Sequence, residues 1–282
     1  MFHLVRAGSS YEIWAVRPMA ENTAYAMKWL PRGENYTRLN VAGLRHEFSV
    51  GKTLDHPEVI TVHEYGTCRD GAFLVMELFR TPNLKQWIHQ GLKHLHYRIT
   101  DILMRAAEGL GHLHEKGWVH RDVKPDNFLL AEDGEMRLID FNLAQRRQSG
   151  LGKLLPGRGK VQGTQSYIAP EQIRGQPVDH RADIYSFGCV VHELVTGKPP
   201  FTATSSNELL NKHLKTKPPS LTVSDKNVEP AFAELVQRML AKDPQERPQS
   251  LADVDREFKA QPVFRITPKP PSDDAPSPDD RG

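Results

Sequence analysis

The run His120-Arg121-Asp122-Val123-Lys124-Pro125-Asp126-Asn127, followed by Asp140-Phe141-Asn142 and then by Ala169-Pro170-Glu171, constrains this chain more than any other feature of its 282 residues. Asp140 follows a strand-like stretch, Met136-Arg137-Leu138-Ile139. The chain changes character well before these motifs. Ahead of Asn83, short aromatic or branched runs (Glu12 to Val16, Ala24 to Leu30, Val59 to Tyr65, Ala72 to Leu78) read as strands, broken by turn residues such as Arg17-Pro18 and Pro31-Arg32-Gly33. One helix interrupts them: Leu44 and Phe48 fall at i and i+4, and Glu47 borders that apolar stripe. Beyond Asn83 helical spacing takes over, in Ile99 to Leu113, Ala182 to Thr196, Pro230 to Leu240 and Ser250 to Phe258. A sheet-rich piece of about 80 residues ahead of a helix-rich one predicts two lobes with a cleft between them.

Composition narrows the classes further. At 38% hydrophobic and 26% charged the chain is an ordinary globular sequence, and a net charge of +2 is too small to argue for nucleic acid or an anionic membrane as partner. Cys68 and Cys189 are too few for a disulfide scaffold and read as inert packing thiols in a reduced, cytoplasmic setting. No run approaches the roughly 18 apolar residues of a membrane span, and Met1-Phe2-His3-Leu4 lacks a charged start with an apolar core. From Pro262 onward proline and aspartate dominate, so residues 262–282 are expected to form a disordered tail behind a domain spanning 1–261, with lobes of about 1–79 and 80–261.

In this order and at these separations the motifs resemble the catalytic core of the eukaryotic-type (Hanks-type) serine/threonine protein kinases, and Ala-Pro-Glu-Gln with a compact second lobe suits a bacterial member. The resemblance covers roughly residues 1–260. It implies a bilobal α+β fold, with a small antiparallel sheet and one helix in the first lobe and a larger, mainly helical second lobe. It also implies transfer of the γ-phosphate of ATP to serine or threonine hydroxyls of protein substrates, with Mg²⁺ or Mn²⁺ as cofactor. In that reading Asp122 accepts or orients the hydroxyl, Lys124 steadies the transferring phosphate, and Asn127 and Asp140 are metal ligands. Lys28, ending Tyr25-Ala26-Met27-Lys28, holds the α- and β-phosphates, and Glu47, nine residues ahead of His56-Pro57, is its partner. The same register puts Met76 at the back of the adenine pocket, backbone groups of Glu77 to Phe79 along its edge, and Ile13, Ala26 and Leu129 around the ring. Gly8 falls beneath the phosphates. His120 and Phe141 are expected in the core, and Arg247 is expected to pair with Glu171, because a buried carboxylate needs a partner. Lys124 together with Thr164 resembles the serine/threonine-directed branch.

Several positions depart from the pattern. Arg6 and Tyr11 stand where the first and third glycines of the phosphate loop belong, which predicts a weakened clamp. Asn142 replaces the last glycine of Asp-Phe-Gly and is expected at positive φ, which asparagine tolerates. Gly51 replaces an apolar residue of the internal stack with His120 and Phe141, at a backbone cost of about 1 kcal/mol, and predicts a mobile helix. These departures leave a second reading open, a pseudokinase that acts as a binding or scaffold module. Between Asp140 and Glu171 the charges are all basic (Arg146, Arg147, Lys153, Arg158, Lys160), which fits attraction of acidic substrates as well as a plain solvated loop. His94-x-His96 and His112-x-His114 face apart on a helix and predict no metal site.

Overall fold

A computed structural model describes residues 2–8, 10–19, 22–147 and 163–271. Strands β1 (Phe2–Ala7), β2 (Glu12–Val16), β3 (Tyr25–Pro31), β4 (Val62–Cys68) and β5 (Gly71–Glu77) make one antiparallel sheet in the order β1-β2-β3-β5-β4, and helix α1 (Arg38–Gly51) packs on β4 and β5. Two-residue alternation puts Ala26, Lys28 and Leu30 on one face of β3, with Ala26 and Leu30 buried on either side of the lysine. Thr37 caps α1 by accepting the amide of Asn40 (3.1 Å), and Leu44, Glu47, Val50 and Gly51 form its buried stripe. The carboxylate that borders the stripe in the sequence is therefore inside it.

Arg6 lies in β1 and pairs with Ile13 after a bulge at Leu4/Arg6. One expectation for this lobe is overturned: Gly51 leaves no gap. A Cβ placed there would lie 2.4 Å from Cγ2 of Val62, so the Val62 side chain already fills the space and seats the end of the helix.

The second lobe follows as α2 (Leu84–Gln90), α3 (Lys93–His96), α4 (Ile99–Glu115), β6 (Trp118–Val119), β7 (Phe128–Leu130), β8 (Met136–Leu138), β9 (Gln145–Arg146), α5 (Pro170–Ile173), α6 (His180–Thr196), α7 (Ser206–Lys215), α8 (Leu221–Ser224), α9 (Pro230–Met239) and α10 (Leu251–Ala260). Helix α6 is buried from Ala182 to Val195 and forms the axis of the lobe. Ring contacts run outward from it: Phe187 meets Phe128 (6.4 Å) and Phe258 (6.2 Å), and Phe258 meets Phe232 (5.8 Å), tying β7, α10 and α9 to α6. The chain entering β4 docks on the second lobe. Leu138 donates to Glu58 O (2.8 Å) and Ile60 donates to Leu138 O (3.0 Å), while Gly109 of α4 makes room for the Glu58 carbonyl, which a Cβ would meet at 2.9 Å. Cys189 is buried as expected; Cys68 is exposed instead, because it ends β4 at the Arg69-Asp70 turn. No helix among the described residues is long and apolar enough to cross a membrane.

The expected start of a disordered tail at residue 262 is also wrong. Val263 and Phe264 are each 3% exposed. Glu229 donates to Val263 O (3.0 Å), Arg265 to Asn227 O (2.8 Å) and Ile266 to Asn227 Oδ1 (3.0 Å), and the Phe264 ring packs on His96 (4.8 Å). Average composition hides this apolar pair among prolines; residues 272–282 lie outside the described residues. Phe264→Ala should lower the unfolding free energy by about 3 kcal/mol in urea titration, the cost of truncating a buried aromatic. An unchanged midpoint would contradict the docking.

Candidate functional site

The site is held from below by Asp183, in the first turn of α6 and fully buried. Its carboxylate accepts the backbone N–H of His120 (2.7 Å) and of Arg121 (2.8 Å), and Nε2 of His114 lies 2.8 Å away. Burial alone would raise this carboxyl; the bond from His114, its charge interactions with His114 and His120, and the Arg121 amide hold it below the ordinary value. Two successive amides captured by one carboxylate bend the chain through Arg121 at φ 68°. The next residue, Asp122, then meets the other groups. Lys124 Nζ donates to Asp122 Oδ2 (2.6 Å) and to Thr164 Oγ1 (3.0 Å), and Asn127 Nδ2 donates to the Asp122 carbonyl (2.9 Å). Thr164 closes the cluster by donating its amide (2.8 Å) and its hydroxyl (3.0 Å) to Asp122 Oδ1. From the sequence, Thr164 was expected in the segment ending in Ala169-Pro170-Glu171, as a mark of specificity and part of substrate docking, and not as a partner of Asp122. Its signal was the preceding Gly163, at φ 104° and with no room for a side chain, since a Cβ would lie 3.0 Å from Arg121 O.

From above comes Lys28. Its ammonium lies 2.8 Å from Glu47 Oε2 and 3.5 Å from Asp140 Oδ1, joining β3, α1 and the segment after β8. Burial opposes the charge on Lys28, but the carboxylates of Asp140 and Glu47 outweigh it and raise the pKa above the ordinary lysine value. Lys28 in turn lowers the Asp140 carboxyl, against burial, with help from His120, Lys124 and the Asn142 amide. Burial raises Glu47, against the pull of Lys28. Phe141 is fully buried with its ring 6.0 Å from that of His120, as expected.

The left-handed residue in this loop is Asp140 (φ 67°); Asn142 does not have positive φ, contrary to expectation, so nothing there demands glycine. Its side chain instead lies against α1, where a Cβ on Gly43 would come within 2.5 Å of Asn142 Oδ1. Asp140 Oδ1 is buried without a hydrogen-bond partner among the described residues, and Asn127 has its amide nitrogen committed to Asp122. A carboxylate oxygen and an amide carbonyl are hard donors of the kind a divalent cation takes.

Beside these charges a cleft of about 780 Å³ is lined by Ile13, Ala26, Met76, Phe79 and Leu129 among others, so the residues expected around an adenine ring are brought together. Glu77 is there too, but its amide already donates to Thr61 O (2.8 Å) and its carboxylate accepts from Arg137 Nε (2.9 Å). Of the expected edge donors, Leu78 and Phe79 have amides that donate to no backbone carbonyl among the described residues. Gly8 departs from expectation: its N–H donates to Tyr11 O (2.9 Å), closing the β1–β2 turn, and does not point to a phosphate. The strand pairing carries Arg6 up to that turn, ending at Ala7 opposite Glu12, and Tyr11 lies in the turn just ahead of β2. Of the basic run, Arg146 stacks on Trp118 (4.1 Å) and donates to Lys116 O (2.9 Å), while Lys153, Arg158 and Lys160 lie outside the described residues.

A protein kinase domain model matches residues 5–258. The chain is 33% identical over 230 residues to a probable serine/threonine-protein kinase of Streptomyces coelicolor, covering 79% of this chain and 34% of that protein. It is 31% identical over 265 residues to a serine/threonine-protein kinase of Myxococcus xanthus (91% and 48%), and 31% identical over 214 residues to the serine/threonine-protein kinase PknB of Mycolicibacterium smegmatis (74% and 34%). The chain thus spans between a third and a half of the length of these relatives.

Asp183 gives a test by pH. A carboxyl held below its unfolded value contributes stability that is present above that value and is lost as pH falls through the folded one. Asp183→Asn should therefore be less stable at neutral pH yet lose less stability than the wild type below about pH 4, near the ordinary aspartate value. Parallel acid-side stability curves for the two proteins would contradict this role.

Proposed function

The chain belongs to the protein kinase family, and from that premise we propose that it transfers the γ-phosphate of ATP to serine or threonine hydroxyls of protein substrates. One observation carries the reading: Lys28 sits between Glu47 (2.8 Å) and Asp140 (3.5 Å), with Asp122, Lys124 and Asn127 joined by hydrogen bonds in the same site. Phosphoryl transfer asks the protein mainly for positioning and for charge where charge develops. Lys28, kept cationic by two carboxylates, grips the α- and β-phosphates. Asp122 orients the acceptor hydroxyl and takes up its proton, and Lys124, already touching Asp122, supplies positive charge to the transferring group. Thr164 fixes the Asp122 carboxylate through its amide and hydroxyl. The adenine ring occupies the cleft lined by Ile13, Ala26, Met76 and Leu129. Asp140 and Asn127 are the proposed holders of a divalent cation, Mg²⁺ or Mn²⁺, which when bound neutralises phosphate charge.

The serine/threonine preference is supported by the names of the relatives. Two free thiols and a requirement for ATP suit action in the cytoplasm. The pseudokinase alternative drew on the degraded phosphate loop and on Asn142, and Asn142 fits its place without a left-handed backbone. Only the closed loop at Gly8 still favours it.

Incubation with radiolabelled ATP, Mg²⁺ and a generic basic protein should label serine or threonine. Lys28→Met and Asp122→Asn should each cut the rate by about 100-fold or more, since the clamp and the orienting carboxylate act as one unit. Phosphotyrosine as the main product would reject the specificity, and no labelling by a folded wild type would reject the activity.

A further inference from the structure

Helix α1 carries Glu47, and its site-facing positions follow helical spacing: Asn40, Gly43, then His46 and Glu47. Each meets a different part of the site. Glu47 takes Lys28 (2.8 Å), and His46 Nε2 lies 2.6 Å from the carbonyl of Ala144. Gly43 presents bare backbone to the Asn142 side chain, at a helix-interior position where alanine would otherwise be favoured. Asn40 accepts a hydrogen bond at its carbonyl from the hydroxyl of Tyr11 (3.0 Å). That last contact comes from the turn of the β1–β2 hairpin, where glycine would supply no side chain at all.

We propose that Tyr11 is a positioning residue that fastens α1 to the hairpin and so holds Glu47 against Lys28 before nucleotide binds. The inference rests on the kinase reading and concerns regulation of the same site. The ring of Tyr11 is half-buried, with its centroid 4.9 Å from Lys28 Nζ, so one side chain touches both the ammonium and the helix that carries its carboxylate partner. Burial raises the phenol above its ordinary value, against the attraction of Lys28, which keeps the hydroxyl a neutral donor. The two substitutions that look like losses in the sequence, Tyr11 and Asn142, therefore converge on one helix. Tyr11 supplies a contact that glycine cannot, in exchange for an open phosphate loop.

The test compares the nucleotide-free wild-type chain with Tyr11→Phe, which keeps the ring and deletes the bond to Asn40 O, and with Tyr11→Gly, which deletes both. Hydrogen exchange read by mass spectrometry should show α1 amides exchanging about fivefold faster in Tyr11→Phe, the effect of one lost hydrogen bond. Tyr11→Gly should be faster still, and α6 should be unchanged in both variants. In steady-state kinetics Tyr11→Gly should lower kcat without lowering the KM for ATP. Unchanged α1 exchange in both variants would overturn the proposal. So would a lower KM with intact kcat in Tyr11→Gly, which would make Tyr11 an obstruction in the phosphate site. A wild type that transfers no phosphate, while Tyr11→Phe still loosens α1, would sink the kinase reading and leave the fastening of the helix standing.

Discussion

The ammonium of Lys28 is the contact on which the arrangement of the site depends. Its side chain is 13% exposed and that of Glu47 is 5% exposed, and a buried charge persists only when it is paired. Three separate elements supply the pair: β3 brings the lysine, α1 brings Glu47, and the segment after β8 brings Asp140. Were Lys28 neutral, α1 would keep a buried carboxylate without a partner and Asp140 would lose its main source of positive charge. The charge balance points outward as well. Lys28 and Lys124 face Glu47, Asp122 and Asp140, so carboxylates outnumber ammonium groups and the site favours a further cation.

Below this junction the second lobe is built to resist movement. Asp183 fixes the turn that carries Asp122, and the bidentate pair of Arg247 with Glu171 (2.7 and 2.9 Å) closes the end of the segment that carries Thr164. Both carboxylates are fully satisfied in the interior, where losing a partner costs far more than the pair contributes. The upper side is different in kind. Helix α1, seated on β4 and β5 by its buried stripe, reaches the site through Glu47 and through separate contacts with the hairpin, Asn142 and Ala144.

Much of the site was legible in the sequence because its chemistry allows few substitutes. Asp122, Lys124, Asn127, Asp140, Lys28 and Glu47 lie together in one site, and the roles proposed for them call for those residue types. Residues that act by filling space were read less well. Gly51 looked like a missing contact because Val62, which occupies its place, lies on another element. Asn142 was assigned a left-handed backbone by analogy with glycine, whereas the loop places that conformation at Asp140. Tyr11 read as damage to a phosphate loop because its partner, a helix carbonyl, has no sequence signature. Val263 and Phe264 were lost in a composition average, although two apolar side chains suffice to dock a segment when a groove is waiting.

The most direct measurement is a crystal structure of the chain with a non-hydrolysable ATP analogue and Mg²⁺. The predicted result has the phosphates on Lys28, the metal on Asp140 and Asn127, the adenine between Ala26 and Leu129, and the Lys28 to Glu47 contact kept at about 2.8 Å. An analogue bound elsewhere, a metal held by other residues, or α1 displaced so that Glu47 leaves Lys28 would contradict the claim that this buried charge organises the site.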